Sequence, residues 1–212
     1  MDTLTTPAYR TISNHVIAER RQKLSNDQNA LFALQSFQPG EVIADFSAGT
    51  IAAEPTYLTV QVGIGKHITL QPEFLQYINH SCEPNVFFNT TTMQLVALKE
   101  IQPEEEMTFF YPSTEWRMTQ SFNCYCGSLA CIGKIRGAAF LSKEAQEKYQ
   151  FTDFIQQQPR LRIEERGQAH FPRHEISRHR QYSRESGCWR RQYGLRFSDH
   201  PRNRRQNHEG RR

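Results

Sequence analysis

A chain of 212 residues with a formal net charge of +4 suffices for one ordinary domain and an appendage, and 37% hydrophobic residues are too few for all of it to be packed core. Residues 1–158 carry 11 Lys and Arg against 16 Asp and Glu, whereas residues 159–212 carry 15 against 6; the basic balance belongs to the tail, and the acidic body favours cationic partners. No basic start precedes an apolar run and no stretch approaches ~18 apolar residues, which predicts a cytoplasmic or nuclear protein, neither secreted nor membrane-spanning.

Residues 1–28 are polar with scattered apolar positions and read as an arm or irregular lead-in. From Ala30 the texture changes. Leu31-Phe32-Ala33-Leu34 and Val42 to Phe46 are short apolar runs separated by the turn Gln38-Pro39-Gly40. Tyr57 to Val62 is rich in β-branched and aromatic residues, and with the turn at 63–66 and the run His67 to Leu70 it predicts a hairpin. Phe74 to Ile78 lead into the heptapeptide Asn79-His80-Ser81-Cys82-Glu83-Pro84-Asn85, and Val86 to Phe88 leave it as a strand. Met93 to Leu98 reads as another strand, Gln102-Pro103-Glu104 as a turn, and Met107 to Tyr111 as a further strand. The first helix-period stretch is Lys143 to Tyr149, after Ser142. Short strands between Pro and Gly turns argue for a mainly β, α+β domain. There are no fixed-period repeats.

Three stretches carry chemistry: the heptapeptide, the acidic pair Glu105-Glu106 running into Tyr111, and Cys124-Tyr125-Cys126-Gly127-Ser128-Leu129-Ala130-Cys131. The last supplies three thiols in eight residues, and Cys82 could supply a fourth. Four thiolates suit a closed, tetrahedral, structural Zn²⁺ site. The alternative is buried or incidental reduced cysteines, and the spacing leaves both open.

Taken together, the three stretches resemble the SET-domain protein lysine methyltransferases, whose hallmark is N-H-S-C-x-P-N, then an acidic pair before a strand ending in Tyr, then C-x-C-x4-C. The resemblance implies small curved sheets, a threaded, knot-like C-terminal segment and a post-SET zinc lid. It covers roughly residues 20–140, a SET domain (20–118) and a zinc-binding segment (119–140); composition and pattern add an arm (1–19), a short helical extension (141–158) and a basic, disordered tail (159–212). The resemblance implies S-adenosylmethionine as cofactor, Cys82, Cys124, Cys126 and Cys131 as Zn²⁺ ligands, and a monomer acting on a protein lysine in an extended, basic segment. Asn79 and His80 match cofactor-holding positions, and Tyr111 matches the tyrosine that orients the methyl and the incoming nitrogen. Tyr57 and Phe109 fall to the substrate channel, Phe109 where the family carries Phe or Tyr, and Phe there leaves room for more than one methyl.

The chain also departs from the family. Gln28-Asn29-Ala30 stands where a G-x-G normally lets the backbone approach the cofactor. Glu104 replaces a glycine, Phe110 an aspartate, and Gln76 an arginine three residues before Asn79. A rival reading follows from these changes: a non-catalytic, zinc-stabilised peptide-binding module with lost cofactor binding. In the tail, fifteen Arg without Lys, five His and interspersed aromatics fit weak nucleic-acid contact, a disordered segment, or a reading-frame error. Cys188 has no partner nearby.

Overall fold

The computed structural model describes residues 8–158. The tail, its nucleic-acid reading and Cys188 lie outside the described residues. Among them, short strands dominate and α-helix is confined to the C-terminal end, in α1 (Lys143–Lys148) and a further stretch over 153–158. The N-cap of α1 is Ser142, whose hydroxyl accepts Ala145 N–H at 3.2 Å, the capping expected of a serine at that position. Among the described residues, no helix is long and apolar enough to cross a membrane.

In chain order, β1 (Tyr9–Asn14), β2 (Ala18–Lys23) and β3 (Asn29–Ala33) form one antiparallel sheet. This corrects the irregular lead-in expected before residue 28. The apolar alternation that marks a strand is weak there because β1 is largely exposed and β2 buries only Ala18 and Glu19, so polar residues fill both. β4 (Val42–Asp45) and β5 (Ser47–Ala52) follow, on either side of Phe46, and enter different sheets. β5 was also not anticipated, since five of its six residues are exposed.

β6 (Thr59–Gly63) and β7 (Lys66–Gln71) form the expected hairpin, with β5 on the far side of β7. A 3-10 turn over Glu73–Tyr77 then leads to β8 (Asn79–His80). β9 (Val86–Asn89) and β10 (Gln94–Ala97) pair as a hairpin, and β10 also pairs β4. β11 (Thr108–Phe109) returns to lie parallel to β8 across 27 intervening residues, giving the register Thr108↔Asn79 and Phe109↔His80. β12 (Phe122–Asn123) and β13 (Lys134–Ile135) bracket the cysteine segment.

The sheets close on one apolar core in which Leu31, Phe37, Ile68, Leu75, Phe88 and Met107 are at most 1% exposed. Each such side chain contributes about 1.5–3 kcal/mol by leaving water. The core backs the β8–β11 pair, so the functional motifs lie on a rigid bed.

Candidate active site and metal centre

Two asparagines of the heptapeptide bind the acidic pair. Asn79 donates through Nδ2 to Glu106 Oε1 at 3.0 Å and to the Asn29 carbonyl at 2.8 Å. Asn85, 2% exposed, donates through Nδ2 to Glu105 Oε1 at 3.1 Å and to the Glu106 carbonyl at 2.9 Å, while its Oδ1 accepts Thr108 N–H at 2.7 Å. The glutamates thus act as acceptors that fix the register of β8 against β11. A buried amide without these partners would be costly.

Past β11 the side chains alternate. Phe109 and Tyr111 face one cavity of about 1320 Å³, and Phe110 turns the other way. The Phe109 ring lies 4.6 Å from Tyr111 and 4.9 Å from Phe88, centroid to centroid. Tyr111 Oη donates to the Ile78 carbonyl at 3.5 Å. Burial, with the Glu106 carboxylate adding to it, pushes the phenol up to about 12, so it holds its proton at neutral pH. Tyr111 N–H donates to His80 Nδ1 at 3.3 Å, which leaves the ring proton on Nε2, 3.4 Å from the Cys82 sulfur. Burial drops His80 to about 4, and the ring is neutral.

Asn79, Phe109 and Tyr111 therefore share one cavity wall, and His80 supports it from behind. Tyr57 also lines this cavity, but at its mouth, where it is 90% exposed. Sequence reasoning missed Phe122, whose ring stands 6.0 Å from Tyr111 and 5.6 Å from His80. Its place two residues before Cys124 was the available signal. It also missed Tyr149, whose hydroxyl donates to the Cys82 carbonyl at 2.7 Å and whose ring stacks on Phe110 at 3.8 Å. That contact accounts for an apolar residue at position 110.

The altered loop stands in the wall. Gln28 and Asn29 line the cavity, Gln28 Nε2 approaches Asn79 Oδ1 at 3.5 Å, and Ala30 turns into the core.

The four thiols Cys82, Cys124, Cys126 and Cys131 have their sulfurs within 4.8 Å of one another, with Cys82 Sγ to Cys124 Sγ at 3.9 Å. Tetrahedral coordination with Zn–S bonds of about 2.3 Å needs sulfurs about 3.8 Å apart. The donor set therefore fits a closed thiolate site. Gly127, at φ +75°, supplies the left-handed turn between Cys126 and Cys131. Cys124 N–H to the Gly133 carbonyl, 2.6 Å, closes the loop.

Glu115 lines the same cavity and was not anticipated. Its Oε1 accepts Gln61 N–H at 2.8 Å, and Gln61 Oε1 accepts Trp116 N–H at 3.0 Å, so β6 is clasped to the segment that follows Tyr111. Burial pushes the Glu115 carboxyl up to about 8, with the Gln61 N–H opposing. His67 Nδ1 is 3.9 Å away, and burial holds that imidazole below its ordinary value, with Glu54 opposing. At neutral pH the carboxyl keeps its proton and the imidazole is uncharged, so the two form no ion pair. A carboxyl raised from 4.5 to about 8 contributes stability that is complete below pH 4.5 and declines as pH rises towards 8, by up to about 1.4 kcal/mol per pH unit. Urea unfolding of the wild type should lose stability across that window relative to Glu115→Gln; parallel profiles would contradict the assignment.

The family model described as "SET domain" matches residues 28–112. Methyltransferase flvH of Aspergillus flavus is 36% identical over 119 residues, 55% of this chain and 66% of that protein. Histone-lysine N-methyltransferase set9 of Schizosaccharomyces pombe is 30% identical over 120 residues, 50% of this chain and 26% of that protein. The chain thus spans just under two thirds of the first relative and about a quarter of the second. Among solved structures, the methyltransferase domain of human histone-lysine N-methyltransferase SETMAR aligns with 62% of this chain and 59% of that one, at 15% identity and a TM-score of 0.39. Residues 28–112 match the SET domain, and the relatives similar to this chain carry the names of methyltransferases.

Proposed function

We propose that this protein is an S-adenosylmethionine-dependent protein-lysine N-methyltransferase acting on a lysine in an extended, basic segment, with a structural Zn²⁺ held by Cys82, Cys124, Cys126 and Cys131. The observation that carries the reading is the meeting of Asn79, Phe109 and Tyr111 on one cavity, with His80 bonded to the Tyr111 backbone behind it. The rival, a non-catalytic peptide-binding module, is less favoured. Gln28 and Asn29 line the cavity rather than fill it, and the relatives carry the names of methyltransferases.

In this reading S-adenosylmethionine, when bound, supplies a methyl group on a sulfonium. Asn79 would hold it through the side-chain amide oxygen, its amide hydrogens being bonded to Asn29 and Glu106, and His80 largely through the backbone, with Phe122 of the cysteine segment lining the same cavity. An ordinary lysine has a pKa near ~10.4, and the apolar walls contributed by Val60, Leu70, Phe88 and Phe109 favour the neutral amine by desolvation. The methyl that the cofactor would supply needs a neutral amine, whose lone pair these walls keep free of a proton. Tyr111, kept protonated, presents a neutral hydroxyl that orients the nitrogen. Catalysis is then chiefly positioning.

Calorimetric titration of S-adenosylmethionine into the zinc-loaded protein should show binding that Asn79→Ala abolishes and Tyr111→Phe largely keeps. Turnover on a peptide array should meanwhile fall on the order of a hundredfold in Tyr111→Phe. Absence of cofactor binding in the folded wild type would favour the rival.

Phe109 leaves space beside the substrate nitrogen that a tyrosine would occupy. Mass spectra of products from Phe109→Tyr should show fewer higher methylation states than wild type, and an unchanged distribution would remove Phe109 from the channel.

Because the buried Cys82 belongs to the heptapeptide and the other thiols to residues 124–131, the metal would pin the second to the first. A strong chelator should release about one equivalent of zinc, and protease should then cut within 119–140 before the far-ultraviolet β signal is lost. Zinc-free protein that resists cleavage there would argue against the lid.

A further inference from the structure

Among the described residues lining the cavity, Arg20 is the sole cationic side chain; Asp27 and Glu115 are the acids. Arg20 was not singled out by the motifs, because it lies on β2, far in sequence from the heptapeptide. Its setting is built rather than incidental. The guanidinium carbon lies 3.7 Å from the centroid of the Tyr77 ring, and Nε donates to Asn29 Oδ1 at 3.0 Å. Asn29 opens β3 within the altered stretch 28–30, and its carbonyl accepts from Asn79. Tyr77 is fixed in turn, its hydroxyl approaching Glu73 Oε1 at 3.4 Å.

The guanidinium is thus held flat on one side and tethered through Nε on another. Neither terminal nitrogen has a hydrogen-bond or ion-pair partner among the described residues. A stacked, tethered guanidinium with both terminal nitrogens free presents the fork that matches a carboxylate with two parallel bonds. Gln76, the neighbouring polar residue of the 3-10 turn, offers no substitute: it is uncharged, and its amide donates to Glu73 Oε1 at 3.1 Å.

We infer that Arg20 anchors the carboxylate at the amino-acid end of the cofactor, the one anionic group that S-adenosylmethionine carries. The inference rests on the methyltransferase reading and deepens it. The side chain of Asn29, at the middle position of Gln28-Asn29-Ala30, tethers the arginine. Arg20 is a binding residue here and takes no part in the transfer step.

The test is calorimetric titration of the full-length, zinc-loaded protein with two ligands, S-adenosylmethionine and its decarboxylated analogue. The wild type should bind the first more tightly than the second. Arg20→Gln should weaken S-adenosylmethionine by at least about tenfold, the range of a bond between charged groups, while binding the analogue as the wild type does. That retained binding also reports a folded cavity. Arg20→Lys, with the charge but not the fork, should fall between. Equal loss of both ligands in Arg20→Gln would make Arg20 a shaping residue and overturn the proposal, as would no loss of either. A wild type that binds neither ligand would sink the methyltransferase reading itself, before any Arg20 variant is compared.

Discussion

The structure depends on one buried amide. Asn85 is almost fully enclosed and yet satisfied, since its amide nitrogen serves Glu105 and the Glu106 carbonyl while its oxygen takes Thr108 N–H. Its own backbone N–H completes the set on the Thr108 carbonyl at 3.1 Å. Such a group tolerates one register only, because a slip by one residue would leave buried donors and acceptors unpaired. The heptapeptide and the later acidic segment are thereby locked as parallel neighbours, an arrangement that short local turns cannot supply.

That register decides which aromatic faces which side. With Phe109 and Tyr111 towards the cavity, Phe110 must face the other way, where it meets Tyr149 from the C-terminal extension. The same extension bonds the carbonyl of Cys82, so the helix that looked peripheral buttresses the centre of the site. His80 joins the two halves, accepting from Tyr111 N–H through one ring nitrogen and facing the Cys82 sulfur through the other. A second clasp, Gln61 with Glu115 and Trp116, ties the β5–β7–β6 sheet to the segment after Tyr111. Both are polar contacts in apolar surroundings, where pairing matters most because water cannot replace a lost partner.

The acidic character of the body has a local exception that serves the site. Arg20 stands stacked and tethered among neutral and acidic lining residues, of which Glu115 is kept protonated by burial. The cavity therefore holds one cationic side chain among polar residues and, apart from it, the apolar wall of Val60, Leu70, Phe88 and Phe109. Such a division suits a ligand with an ionic end and a reacting centre that must stay dry.

The sequence alone determined the motif residues and much of the local structure. The thiol spacing, the acidic pair, the β6–β7 hairpin and the Ser142-capped helix are all written in short stretches, because turn chemistry, capping and chelate spacing act over a few residues. It also determined that the chain is mainly β. The polar strands β1, β2 and β5 were not legible, since exposed strands carry no apolar alternation. Only the tertiary structure brought together Asn79 with Glu106, Phe110 with Tyr149, Cys82 with Cys124, and Arg20 with Tyr77 and Asn29. Each of these joins residues separated by several elements. Their meeting is decided by packing and by the satisfaction of buried polar groups, which no local pattern encodes.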